Sequence, residues 1–264
     1  MIIDMHNHVF PDHVAERVIG TLEGFYGFKW GGTGTERDLL ASIEEGKIDK
    51  CVIFSSATKP EQVETINNYI ASMVQKAPSL YIGFGTMHPL YKDPVKEFAR
   101  FPELQLKGLK FHHDFLGYDL DDPLWMPVYE AAEEASLPIL FHIGDSRTSH
   151  TNPDKLAFLR GKFPKLTLIA AHMGGYTQWE DGEKHLAGLD IYMDISSTIP
   201  FWGVEKTRDL VLKHGVDKIL FASDYPAFRH KEAVEYVKQL GLGKEAEEKI
   251  FHLNAEKLFG LDKE

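Results

Sequence analysis

Cys51 is the only cysteine in this chain. One cysteine excludes an intramolecular disulfide and any cysteine-built metal site. It stands in the apolar run Cys51-Val52-Ile53-Phe54, which marks it as a small buried hydrophobe rather than a nucleophile. Positive charge is also scarce: 29 Lys and Arg against 40 Asp and Glu leave a net charge of -11. That balance disfavours a nucleic-acid surface and reads as solubility. No apolar run reaches the length of a membrane-spanning helix, and Asp4 interrupts the start where a leader would carry basic residues. A cytoplasmic protein is expected, with a small molecule rather than nucleic acid or membrane as its partner. No Gly-x-Gly-x-x-Gly follows a strand-like run, so the usual mark of a dinucleotide site is missing.

Apolar residues are plentiful, at 43% of 264, enough to fill a core, and residues 1–264 are expected to form one domain. Eight short apolar runs recur: Ile2–Met5, Lys50–Ser55, Leu80–Thr86, Leu106–Phe111, Pro138–His142, Leu166–Ala171, Ile191–Ile195 and Ile219–Ala222. Most are continuously apolar, as parallel strands buried on both faces require. Helical spacing appears between them, over Thr35–Lys47, Glu61–Lys76, Pro123–Ser136, Asp154–Lys162, Val204–His214, Lys231–Leu240 and Lys244–Phe259. Asp122-Pro123 and Asn152-Pro153 carry the cap-then-Pro pattern of a helix start. Weaker helical patterns follow Pro94 and Gln178. The predicted fold is an α/β (β/α)8 TIM barrel, with a doubly wound open sheet as runner-up. Gly20–Gly34, with six glycines and several aromatics, reads as a long loop over the barrel mouth.

Polar residues fall where these strands end. His6 and His8 close the first run, two apart and so on one face of a strand. Lys110, His112 and His113 end the fourth, His142 the fifth, His172 the sixth, Asp194 and Ser196 the seventh, and Asp224 the eighth. Any one of these has a structural reading, as a capped turn, a tied loop or a hydrogen-bonded core histidine. Jointly they point to one place, because the C-terminal strand ends of a barrel converge on its catalytic mouth.

His6-x-His8, His142, His172 and Asp224, in that order and at those strand ends, resemble the amidohydrolase superfamily. More narrowly they resemble its amidohydrolase-related branch, which includes aminocarboxymuconate semialdehyde decarboxylase. Lys107-Gly108-Leu109-Lys110-Phe111-His112, Ala171-His172-Met173-Gly174-Gly175 and Asn254-Ala255-Glu256-Lys257-Leu258-Phe259-Gly260 extend the resemblance over the whole chain. It implies that His6, His8 and His142 bind one divalent metal, with Asp224 as fourth ligand and catalytic group, and His172 as a catalytic base behind them. Zn²⁺ suits nitrogen and carboxylate donors best, and Mn²⁺, Ni²⁺, Co²⁺ and Fe²⁺ accept the same set. Some superfamily members carboxylate the strand 4 lysine to bridge two metals. Here an unmodified Lys110 is expected near the substrate, with His112 as a further pocket residue. Where the family places Pro after that histidine, this chain has His113.

The implied chemistry is metal-assisted hydrolysis of a small amide, ester or lactone, using a water whose pKa the metal lowers towards ~7. Non-oxidative decarboxylation of an aromatic or unsaturated acid is the alternative. The decarboxylases resembled here usually carry an Arg after the strand 6 Gly-Gly, and none stands between Gly175 and Lys184. Arg37 and Arg147 are the replacements considered. A metal-stabilised binding protein without turnover is the third reading. Phe25, Tyr26, Phe28, Trp30, Trp179 and Trp202 are candidates for the pocket mouth or for a homodimer contact.

Overall fold

In the computed structural model, which describes residues 1–261, eight parallel strands pair in the order of the chain. They are β1 (Ile3–His8), β2 (Lys50–Phe54), β3 (Tyr81–Gly85), β4 (Leu106–Phe111), β5 (Ile139–Phe141), β6 (Leu168–Ala170), β7 (Tyr192–Asp194) and β8 (Ile219–Leu220). β8 has only two residues, so the seam closes largely outside the ladder. Met5 N–H donates to Phe221 O at 2.9 Å and His8 N–H to Tyr225 O at 2.7 Å. Ser223 N–H adds a bond to the Asp4 carboxylate at 3.1 Å. Sequential order with closure is the (β/α)8 barrel; an open doubly wound sheet would reverse its order at a switch point.

The strands divide two apolar layers. Ile3, Met5, Val52, Phe54, Ile82, Phe84, Leu140, Ile169, Tyr192 and Leu220 fill the barrel interior. A larger cluster, including Cys51, Ile53, Leu109, Phe111, Ile139 and Phe141, packs outward against the helices. Cys51 is fully buried, with its sulfur 3.8 Å from His230 Nε2. Ala255, Leu258 and Phe259 join the interior cluster from the end of the chain. The helix expected over Lys244–Phe259 is therefore broken: a wide π turn, Lys249–Leu253, separates Lys244–Glu248 from Asn254–Phe259.

β1 carries an irregularity that sequence periodicity does not show. Asp4 pairs with Cys51 but Asn7 pairs with Ile53, so β1 holds one extra residue there. A bulge of this kind resets which face the following side chains take. Ile3 and Met5 point into the barrel, yet so do His6 and His8, while Asp4 and Asn7 both face outward onto His230. The Asn7 amide is pinned there: His230 Nε2–H donates to it at 2.7 Å, and it donates to Asp4 O and Val52 O.

The first half of the loop expected over Gly20–Gly34 is helical, and the rest, from Gly27 on, is irregular. α1 runs over Asp12–Tyr26, burying Ala15 and Ile19, and ends at Gly27, whose φ of 76° is the left-handed cap conformation. Gly20 and Gly24 lie on an open helix face with nothing near their Cα hydrogens, so helical spacing overrides their weak propensity. α2 (Glu36–Gly46) begins at Thr35, whose side chain accepts from Asp38 N–H. α3 covers Val63–Lys76. The segment expected as Pro123–Ser136 is a tight turn, Pro123–Trp125, followed by a helix over Met126–Glu134, and Asp122 caps it as expected. Asn152 precedes Pro153 without a side-chain cap. The weaker patterns are helices too, Pro94–Ala99 and Trp179–Leu186. No helix among the described residues is long and apolar enough to cross a membrane.

Gly144, just past β5, holds the mouth together. Its φ is +89° and a Cβ there would sit 2.6 Å from Gly175 Cα. Gly144→Ala is expected to destabilise the fold by about 2–4 kcal/mol, combining backbone strain with a backbone clash. Urea denaturation measures this; a loss under 0.5 kcal/mol, on the order of a neutral surface change, would refute it.

Candidate metal centre

β1 brings His6 and His8 side by side, with their Nε2 atoms 3.2 Å apart. Asp224, in the turn after β8, places Oδ1 3.2 Å from His6 Nε2 and 3.7 Å from His8 Nε2. These three side chains form one group whose ligand atoms lie within 4.8 Å of one another. Asp194, at the end of β7, sets the polarity of the group. Its carboxylate accepts His6 Nδ1–H at 2.8 Å, and also His172 N–H at 3.0 Å, Ser196 N–H at 3.1 Å and the Ser196 hydroxyl. With its proton committed to Asp194, His6 turns its Nε2 lone pair towards His8, Asp224 and the Lys110 Nζ, which lies 3.3 Å away. A carboxylate behind the far nitrogen is how metal-ligating histidines are oriented and made more basic.

The same bookkeeping runs through His172 and His142. Ser196 O lies 3.2 Å from His172 Nδ1 and can only accept, so His172 carries its proton on Nδ1. His172 Nε2 must then accept from His142 Nδ1, 3.0 Å away. That leaves His142 Nε2 without a proton; it is buried with no hydrogen-bond partner, 3.9 Å from Asp114 Oδ2 and from Asp145 Oδ2, beyond hydrogen-bond reach of either. His142 does not fall in the His6–His8–Asp224 group; its ligand atom groups with His112 and Asp114. Of the four expected ligands, three converge directly and His142 stands one residue removed, through His172.

Burial holds His6, His8 and His142 well below the ordinary imidazole range, and pushes His172 down to about 4. All four are therefore neutral and able to offer lone pairs. Burial lifts the Asp224 carboxyl, against the Ser197 hydroxyl that donates to it at 2.6 Å and the nearby Lys110 ammonium. Lone pairs from two imidazoles and a carboxyl group thus face one another in a buried pocket. Such an arrangement is costly alone and satisfied by a divalent cation. The donor set fits one such ion. His172 and Asp224 both have positive φ, 58° and 63°, an uncommon backbone state for such residues that gathers at functional sites.

Lys110 is fully buried on β4, with its Nζ 3.3 Å from His6 Nε2 and 5.3 Å from the centre of the Phe54 ring. It approaches the group from inside the barrel and does not line the cavity. Burial lowers its pKa while Asp194 and Asp224 oppose that shift. His112 does line the cavity. His113 turns away, to the Tyr129 hydroxyl at 3.0 Å, so the residue in place of the family's Pro serves the core.

The cavity measures about 420 Å³ and opens on His8, His142, His172 and Asp224. Phe10, Tyr26, Phe28, Trp30, Phe115 and Tyr176 supply its aromatic walls, with Val18 and Leu22 from α1. Tyr26, Phe28 and Trp30 thus take the mouth position expected of them. Phe25, Trp179 and Trp202 do not; Trp179 instead donates its indole N–H to His172 O at 3.0 Å. Arg147 is spoken for, paired with both oxygens of Asp145 and stacked 4.5 Å from the Tyr26 ring centre. Arg37 is exposed on α2, outside the cavity. Among the described residues the cavity's one Lys or Arg is Arg17, on α1. Arg17 precedes the Gly20–Gly34 segment, and it shares a face with Thr21 because α1 runs through both.

The amidohydrolase family model matches residues 3–261. A 98-residue stretch, 34% of this chain, is 29% identical to 2-amino-3-carboxymuconate-6-semialdehyde decarboxylase of Dictyostelium discoideum and spans 27% of that protein's length. The fold is that of 5-carboxyvanillate decarboxylase from Sphingomonas paucimobilis, with a TM-score of 0.71, 17% identity and 98% of each chain covered. It is also that of dihydroxybenzoic acid decarboxylase from Polaromonas sp. JS666, solved with manganese and 2-nitroresorcinol, with a TM-score of 0.74 and 16% identity, over 100% of this chain and 98% of that one. With nearly its whole length matched, a barrel closed in sequential order and its His-x-His pair facing Asp224 across the mouth, this chain belongs to the amidohydrolase family.

Proposed function

We propose that this chain is a metal-dependent carboxy-lyase, releasing CO₂ non-oxidatively from a small aromatic or unsaturated acid. The observation that carries this is the cavity: aromatic walls ending on a largely buried His and Asp cluster, with, among the described residues, a single Arg on α1. A volume of about 420 Å³ suits a single-ring acid. The decarboxylases among its relatives support the same choice over hydrolysis. A cavity open on Asp224 and His8 also favours catalysis over a purely structural metal site, which the protein would enclose.

His6, His8 and Asp224 would hold the metal, with His142 one residue removed behind His172; Zn²⁺ and Mn²⁺ both suit these donors. When bound, the cation supplies positive charge that attracts the acid and offsets charge developing on its ring. The aromatic walls grip the ring and exclude water. Arg17 pairs with an anionic group of the ligand from α1. Among the described residues Asp224 is the one carboxyl group lining the cavity, placed to pass a proton to the ring. As the bond to the carboxylate breaks, its electron pair stays on the ring carbon. A proton taken from water and relayed by Asp224 forms the new C–H bond, and CO₂ leaves. Lys110 and Asp194 act from behind, through His6.

Metal-reconstituted protein should release CO₂ from members of a panel of aromatic and muconate-like acids. Hydrolysis of lactones or amides with no CO₂ release from any acid would overturn the proposal in favour of the hydrolytic reading. Arg17→Ala is expected to raise KM about tenfold with little change in kcat, the worth of one charge-assisted hydrogen bond of roughly 1.5 kcal/mol.

A further inference from the structure

The reaction proposed above makes no use of the contact between Tyr26 and His112. His112 is 4% exposed, and its ring lies between those of Phe115 and His142, each 4.0 Å away. Its Nε2 is 2.8 Å from the Tyr26 hydroxyl. Its Nδ1 has no hydrogen-bond partner and faces Asp114 Oδ2 at 3.6 Å. Thr148 and Thr151 both donate their hydroxyls to Asp114, which leaves that group as an acceptor.

A buried imidazole between two rings is neutral and carries one proton. On Nε2, that proton would leave the Nδ1 lone pair pointing at a carboxylate oxygen in a low-dielectric site. On Nδ1, it faces that oxygen favourably. Asp114 therefore fixes the proton on Nδ1, and His112 Nε2 accepts the proton of Tyr26. The phenol is not free to turn away. Tyr26 is the last residue of α1, and the Arg147 guanidinium lies over its ring while donating to Phe25 O at 2.6 Å. With its proton spent on His112, the Tyr26 oxygen has only lone pairs left for the cavity it lines.

We infer that Tyr26 is a specificity-determining residue that offers the ligand a hydrogen-bond acceptor, selecting aryl acids that bear a donor group, a hydroxyl or an amine, remote from the carboxylate. The polarity of Tyr26 stands on His112 and Asp114 alone; the choice of an aryl acid rests on the function proposed above.

Two measurements on the Zn²⁺-loaded protein test it. Long-range ¹H–¹⁵N NMR, with the His112 signals assigned by their loss in His112→Gln, should show a neutral ring protonated on Nδ1. A ring protonated on Nε2, or on both nitrogens, would overturn the inference. Calorimetric binding of benzoate and of 3- and 4-hydroxybenzoate, each hydroxy acid against its methoxy counterpart, should show a preference for at least one hydroxy acid of about fivefold or more, the order of one hydrogen bond. Tyr26→Phe should bring that pair within about twofold, as expected when one hydrogen bond is lost. A preference that survives in Tyr26→Phe, or is absent from the wild type, would also overturn it. Failure of every acid to bind would sink the aromatic-acid reading, and the His112 tautomer would still decide whether Tyr26 offers an acceptor.

Discussion

Asp224→Asn should cost about 10³-fold in kcat, the scale of a lost proton-transfer group. Asp224 has two duties in the proposed reaction. It closes the group formed with His6 and His8, and among the described residues it is the one carboxyl group lining the cavity. Asparagine keeps an oxygen to accept from Ser197, so the turn after β8 should hold and the fold should survive. What it loses is the negative charge facing a cation and the carboxylate that relays the proton. Single-turnover CO₂ release, with bound metal measured alongside by elemental analysis, separates the two losses. A variant within tenfold of wild-type turnover would remove Asp224 from the chemistry.

Asp194→Asn should be nearly as damaging without touching the cavity. Asp194 is fully buried and gathers four donors, from His6, His172 and Ser196. An amide can replace only one oxygen. If its NH₂ faces His6, that ring loses its Nδ1 acceptor and shifts its proton to Nε2, where it can no longer ligate. Metal affinity is expected to fall about 10–100-fold, as when the outer partner of a ligating histidine is removed. An unpaired buried donor should also cost about 2–3 kcal/mol of stability. Metal titration and urea denaturation of the same variant read both effects. Unchanged metal affinity would show that His6 does not depend on Asp194.

Much of the barrel was legible in the chain because parallel strands are buried on both faces. Such strands leave continuous apolar runs, and a run such as Leu106–Phe111 matches β4 at both ends. Elsewhere the runs overshoot. Pro138–His142 contracts to Ile139–Phe141 because the chain leaves the ladder to place His142 at the mouth. The Gly20–Gly34 segment misled because glycine content outweighed helical spacing, although Ala15 and Ile19 bury a face that holds α1 together. Arg17, just before that segment, has no local mark of its own, and Tyr26 is legible only as an aromatic near the mouth. Phe10, Phe115 and Tyr176 carry no mark that separates a cavity wall from core.

His6 and His8 show where sequence ends and tertiary structure begins. Their spacing alone determines that they share a face of a strand, and the strand-end positions of His142, His172 and Asp224 determine that a closed barrel gathers them. Which face the pair takes is not a local property. In a regular strand His6 would lie on the side of Asp4, outside the barrel. The extra residue in β1, visible only in its register with β2, turns His6 inward. The proton that frees its Nε2 is held by Asp194, 188 residues away along the chain. Side-chain alternation is written by neighbours in sequence; register and tautomer are set by partners that meet only when the barrel closes.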